Sequence, residues 1–266
     1  MCRPSSTSRT QAPALAPNYR PLTCPDDSPT VAWKGWQISP DGSKLYGIMQ
    51  SPLIRDGALS AANDRIGVNN RIVEVNLATG ARREFVYQLA PSNANGASNY
   101  GVSEIVAINE HQFLVIERDG RGFGRDAQND ARFKRIYLID IDGATDVSNV
   151  ANLPTTGLPP NVRAVTKSVF LDMLAATGLA ATSFPEKLEG LAFGPDLPDG
   201  RRLLLVSVDN DFAENLPSSI FGFAIDARDL PGYQAQAVAA IPEPSSYLLT
   251  GLGLIALAIA RVRRRH

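Results

Sequence analysis

The side chains best suited to chemistry in this chain are carboxylates. Glu104 and Glu189 each open a short apolar segment, EIVAI and EGLAF, while Glu117-Arg118-Asp119 and Asp209-Asn210-Asp211 each follow a second apolar run downstream. Acids gathered at one place repel each other, which raises their pKa values unless a cation neutralises them. Calcium, which takes roughly 6 to 8 oxygens from carboxylates and carbonyls, is the natural occupant outside a cell. Such a cation holds a phosphate or polarises a phosphoester while a carboxylate acts as base toward water. Glu104, Glu189 and Arg118 are therefore the candidate catalytic residues, and Glu117, Asp119, Asp209 and Asp211 the candidate metal ligands. The same acidic trios also suit ordinary loop chemistry, in which Asp and Asn bond their own backbone, and Arg118 either serves a phosphate or braces Glu117.

Other chemistries lack their residues. The two histidines are His111, on a predicted hairpin turn, and His266 at the end of the chain, which leaves no Arg-His-Gly constellation with a second histidine for a histidine phosphatase. There is no G-x-S-x-G nucleophile elbow, and a Ser-His-Asp triad would have to draw on His111, most simply a solvated turn residue. The two cysteines, Cys2 and Cys24, form no C-x-x-C pair, which removes zinc held through cysteine.

The candidate acids sit on a repeating framework. KGWQISPDGSKLYGIMQS from Lys34, EIVAINEHQFLVIERDG from Glu104 and EGLAFGPDLPDGRRLLLVSVDND from Glu189 each read as strand, turn, strand. Further strands follow in RIVEVNLATGARREFVYQL, RIYLIDIDGATDVSNVANL and IFGFAID. Repeat starts 70 and 85 residues apart exceed the roughly 40 to 50 of compact propeller repeats, and loops inserted over 52–70, 120–134 and 153–187 make up the difference. Radial repetition of antiparallel sheets is the β-propeller solution to exposed edges. Glu104 and Glu189 then hold matching positions on successive first strands, with Lys34 standing there in the first unit, where it pairs with a phosphate or a neighbouring carboxylate. The expected fold is all-β, with propeller-like blades of antiparallel strands in an incomplete ring, because three units fall short of the about 4 to 8 that close one. A generic all-β exported domain is the alternative.

These motifs, from about Lys34 to Phe223, resemble the phytase-like family described as having esterase-like activity of phytase. The resemblance implies a phosphoesterase, phytase-like or esterase-like, and its fold carries over more firmly than its activity. A non-catalytic propeller serving as a binding or scaffold protein of the envelope or extracellular matrix is the competing function.

The ends of the chain carry the address. Residues 1–31 are rich in Pro, Ser and Thr and read as a disordered leader; 32–232 form the phytase-like domain, 233–241 a linker and 242–266 a tail. In that tail, Pro242-Glu243-Pro244 precedes an uncharged run from Tyr247 to Ala260, and then come Arg261, Arg263, Arg264 and Arg265. The run is apolar on every helical face and amounts to a short transmembrane helix, with the arginines on the cytoplasmic side. The tail resembles a PEP-CTERM sorting signal, which implies export, anchoring in the inner membrane facing the periplasm, and release to the cell surface or matrix after cutting by an exosortase-type enzyme. No apolar h-region appears near Met1, so further coding sequence is expected upstream. Without the four tail arginines and Glu243, 22 basic residues face 26 acidic ones, and such a balance offers no electrostatic footprint for nucleic acid.

Overall fold

The computed structural model describes residues 33–236 except 97, 125–127, 211 and 213–216. The chain divides after Gln236 into two units, the described residues lying in the first. The expected leader, Asp211 and the whole sorting tail, Pro242, Glu243, Pro244, its helix and its four arginines included, lie outside the described residues.

Three antiparallel sheets carry the described fold. The first runs β1 (Trp33–Ile38), β2 (Lys44–Met49), β3 (Asn69–Asn76) and β4 (Arg82–Gln88) in spatial as in chain order. The second begins with β5 (Gly101–Ala107) and β6 (Gln112–Arg118); a small hairpin of β7 (Gly122–Phe123) and β8 (Gln128–Asn129) intervenes before β9 (Lys134–Asp140) and β10 (Thr166–Asp172) complete it. A one-turn helix α1 (Met173–Thr177) leads to the third sheet, β11 (Leu188–Phe193), β12 (Arg202–Val208) and β13 (Ile220–Ile225). The fold is thus all-β and antiparallel, as the hairpin pattern predicts. Among the described residues no helix is long and apolar enough to cross a membrane.

Turn chemistry closes the hairpins. Between β1 and β2 the Asp41 carboxylate accepts from Ser39 Oγ at 2.6 Å and from the Ser43 amide and hydroxyl at 2.8 Å each, and Gly42 supplies the left-handed residue at φ +75°. Those hydrogen bonds hold the Asp41 carboxyl down at about 2. His111 sits on the β5–β6 turn, half-exposed, with Nδ1 2.9 Å from Asp140 Oδ1.

Two layers of core join the sheets. Tyr46, Ile48 and Phe85 of the first sheet pack on Phe113, Val115 and Ile139 of the second. On its other face, Leu114, Ile116 and Ile136 meet Leu191, Leu204 and Val206 of the third. Each such side chain is worth roughly 1.5–3 kcal/mol when fully buried. Covered on both sides, β6 reads as the unbroken apolar run Phe113-Leu114-Val115-Ile116 rather than as an alternation.

Two of the predicted insertions hold structure of their own. The stretch 153–187 contains β10, the fourth strand of the second sheet, and α1. Its sequence, TKSVFLD, is masked by Lys167 and by a long connection after β9, and the strand pair expected from Arg135 is one strand only. The loop over 52–70 is tied down by the buried Asp56, whose carboxylate receives Arg71 Nε at 2.7 Å, Arg71 Nη2 at 2.9 Å and the Leu153 amide at 2.8 Å. Arg71 also reaches Glu84 at 2.7 Å and the Val150 carbonyl at 3.0 Å, so one guanidinium ties the 52–70 loop and the segment after β9 to the first sheet.

Candidate functional site

The first strands of the three sheets lie side by side, β1 against β5 and β5 against β11. Each contains a register shift: between Lys34 and Trp36, between Val102 and Glu104, and between Leu188 and Gly190. An extra residue in one strand kinks it and re-aims the neighbouring side chains. Lys34 stands just before its bulge, Glu104 just after, and Glu189 is the bulged residue. The three therefore occupy successive positions about their bulges rather than equivalent ones, and they still converge.

The convergence is ionic. Lys34 Nζ lies 3.1 Å from Glu189 Oε2, and Arg118, at the end of β6, donates through Nη2 to Glu189 Oε1. Arg118 is held from behind: Nε donates to Ser103 Oγ at 2.9 Å and to the Leu188 carbonyl at 3.3 Å, and Nη1 to the Asp119 carbonyl at 3.3 Å. Glu104 stands beside this triad and accepts the Ile105 amide at 2.9 Å through Oε1. Burial pushes the Glu104 carboxyl above its ordinary range; the Ile105 amide works against that, the Glu189 charge adds to it and Lys34 opposes it. Part-buried Glu104, Glu189 and Arg118 thus lie together with Lys34, and Arg118 pairs with Glu189 where the sequence offered Glu117 as its partner.

Gly35 makes the close approach possible. It adopts φ +63°, and a Cβ there would stand 2.6 Å from the Ile105 amide nitrogen and run into Glu104 Oε1. Gly35→Ala is expected to lower stability by about 1–3 kcal/mol through backbone strain alone, with a further loss from displacing Glu104. Urea denaturation compared with Gly42→Ala, whose Cβ meets nothing within 4 Å despite its similar φ, separates the clash from the strain.

Two of the candidate metal ligands, Glu117 and Asp119, are engaged by the protein. Glu117 is fully buried and receives Tyr87 Oη at 2.5 Å, the Ala90 amide at 2.7 Å and the Lys167 ammonium. Asp119 receives the Arg132 and Phe133 amides at 2.9 and 3.0 Å on Oδ2 and Lys134 Nζ at 2.9 Å on Oδ1. Asp209 borders a cavity of about 170 Å³ with Phe123, Leu179, Pro185 and Phe221. Among the described residues no group of three His, Cys, Asp or Glu side chains is placed to hold a metal ion. Charge balance where the first strands meet comes from Lys34 and Arg118, and that at Glu117 and Asp119 from Lys167 and Lys134.

Four residues at or near these sites escape sequence reasoning as partners: Ser103, Lys134, Lys167 and Tyr87. The available signal was a lysine at the edge of an apolar strand, in KRIYLID and TKSVFLD, because a cation there needs an anion nearby. Lys134 is fully buried and donates to the carbonyls of Asp119 at 2.9 Å and Glu186 at 2.6 Å. Burial draws its ammonium down to about 8, against the pull of Asp119. The folded chain thus releases this proton at lower pH than the unfolded chain, whose lysine holds it to about 10.5. The cost of burying the charge is present below pH 8 and is relieved as pH rises toward 10.5. Between those limits wild type should gain stability relative to Lys134→Met, as read from urea midpoints along a pH series; a constant difference would contradict the assignment.

Comparison with known proteins adds two matches. Residues 35–212 match the Phytase-like family, described as esterase-like activity of phytase. Residues 240–265 match the PEP-CTERM protein-sorting motif. No curated protein and no solved structure matches the chain.

Proposed function

The chain belongs to the phytase-like family, and from that premise we propose that it hydrolyses anionic esters, phosphate monoesters foremost, where its three first strands converge. Its C-terminal motif makes it an exported, envelope-associated protein and implies processing by an exosortase-type enzyme. We read the sheets as blades of a β-propeller, in which inner strands from successive blades meet at an axial mouth. Anchoring by the tail helix in the inner membrane belongs to the same proposal.

The observation that carries this reading is the meeting of Lys34, Arg118 and Glu189 beside a carboxyl whose proton affinity is raised, Glu104. Lys34 and Arg118 supply the positive charge for a phosphate, Arg118 as a planar fork and Lys34 as a point charge. Glu189 keeps the two cations in place between turnovers. Glu104 removes a proton from water as the water oxygen attacks phosphorus, the bond from phosphorus to the alcohol oxygen breaks, and the proton passes to the departing alkoxide. The scheme is written without calcium, since Glu117 and Asp119 are bound to the protein's own donors.

Phosphate release from phytate and from a nitrophenyl phosphate, by the full-length chain in detergent with and without added calcium, tests the proposal. Turnover that persists in a chelator is the expected result. The paired charges of Lys34, Glu189 and Arg118, already satisfied by one another, favour a second reading as a non-catalytic binding protein of the envelope. A folded chain that turns over neither phosphoesters nor carboxyl esters would select that second reading.

A further inference from the structure

The carboxylates at and near the meeting of the first strands are held in two different ways. Glu104 accepts the Ile105 amide, Glu117 the Ala90 amide, and Asp119 the amides of Arg132 and Phe133. A backbone amide is fixed by the strand or loop that carries it, so these three side chains are built into the framework. Glu189 is not. Among the described residues its hydrogen-bond partners are side chains only: Lys34 Nζ, 3.1 Å from Oε2, and Arg118 Nη2, which donates to Oε1. Each carboxylate oxygen thus takes one of the two cations assigned to the substrate.

Arg118 does not depend on Glu189 for its place. Ser103 Oγ and the carbonyls of Leu188 and Asp119 are its other acceptors, and they fix the plane of the guanidinium from behind. Glu189 itself stands on the bulge of β11, outside the paired register. Its side chain is 18% exposed, against 11% for Arg118 and 35% for Lys34, so water borders the contact. Turning Glu189 outward breaks no strand pairing and frees no backbone donor.

We infer that Glu189 is a latch: its carboxylate sits where the phosphate of the substrate binds, and it yields that seat when a dianion arrives. The inference rests on the reading of this site as one that hydrolyses anionic esters, and it explains how charges already satisfied by one another still admit a substrate. The carboxylate stands in for two phosphate oxygens, one on the planar fork of Arg118 and one on the point charge of Lys34. Selection among anions is a difference of affinities. A monoanion recovers what Glu189 gives up, whereas a dianion brings one more charge to the same two cations. The latch therefore sets a threshold that a phosphate monoester passes more easily than a diester. Glu104, held by its own amide, takes no part in the exchange.

Calorimetric titration of the full-length chain in detergent with inorganic phosphate, at a mildly alkaline pH that favours the dianion, tests the latch without requiring turnover. Glu189→Gln should bind phosphate about 10-fold or more tighter than wild type, the scale of a charged hydrogen bond that no longer has to be given up. Glu189→Asp keeps the charge but shortens the reach by one methylene, and it too should bind tighter, by a smaller factor. Dimethyl phosphate, a monoanion, should bind wild type more weakly than phosphate does; equal binding would overturn the threshold. Adding Arg118→Ala to Glu189→Gln should abolish the gain, and Lys34→Ala serves the same purpose should the first fail to fold; a gain that survives both lies elsewhere and overturns the inference. Phosphate bound by wild type but no tighter by Glu189→Gln would make Glu189 a brace and leave the proposed hydrolysis standing. A gain in Glu189→Gln with none in Glu189→Asp would assign the effect to charge alone and overturn the exchange. Absence of phosphate binding in wild type and both Glu189 variants would remove the seat, and the proposed function with it.

Discussion

Glu104→Gln is expected to lower the rate of ester hydrolysis by about 10²–10⁴-fold, the range of a positioned acid–base group. The substitution keeps the shape of the side chain and an oxygen for the Ile105 amide, now 2.9 Å from Glu104 Oε1. Melting should therefore stay close to wild type, which separates lost chemistry from lost folding. A base works when deprotonated, so the wild-type rate falls as pH drops through the Glu104 pKa. Burial first and the Glu189 charge next lift that pKa above the ordinary 4.5, which places the acid limb of kcat/KM above the range of an exposed glutamate. In Glu104→Gln this limb should disappear together with the rate. An unchanged acid limb in the variant would move the role of base to another group, and an unchanged rate would remove Glu104 from the reaction. Glu189→Gln offers a contrast: it removes the anion shared by Lys34 and Arg118, so its effect should appear in KM for the anionic substrate as well as in kcat.

The repeat was readable because hairpins announce themselves locally: SPDGSK and LATGAR carry the turn residues, and the flanking runs carry the apolar side chains. Glu104 and Glu189 stood out for the same reason, each being an acid at the mouth of an apolar strand. Pairing between distant residues leaves no such local mark. Lys34 and Glu189 are 155 positions apart, and their 3.1 Å contact depends on three bulges that no turn motif encodes. β10 was hidden for another reason. As the outer strand of its sheet it leaves Val169 half-exposed, and its Lys167 interrupts the apolar pattern by which buried strands are recognised. In sequence the side chains of Glu117 and Asp119 look open to a metal, and only the fold reveals the amides and lysines that reach them. A buried carboxylate looks the same in sequence whether a cation or an ammonium completes it.

That ambiguity makes the Glu117 network the place where a structural charge and a metal ligand predict opposite results. Lys167 donates to Glu117 and to the Gln88 carbonyl at 2.9 Å, and its ammonium lies over the rings of Tyr87 at 4.4 Å and Tyr137 at 4.0 Å. Burial lowers the Lys167 pKa, with the Glu117 charge opposing. Lys167→Met leaves a fully buried carboxylate without its cation, a change that costs about 3–5 kcal/mol and, for a domain of this size, roughly 10 °C of melting temperature. Removing both charges in Glu117→Leu with Lys167→Met should recover part of the loss, since a buried pair replaced by apolar groups is often neutral. Added calcium should leave the wild-type melting temperature unchanged, because Tyr87, the Ala90 amide and Lys167 already occupy the carboxylate. A calcium-dependent rise in wild type that vanishes in Glu117→Gln would reverse the assignment and return Glu117 to a metal site.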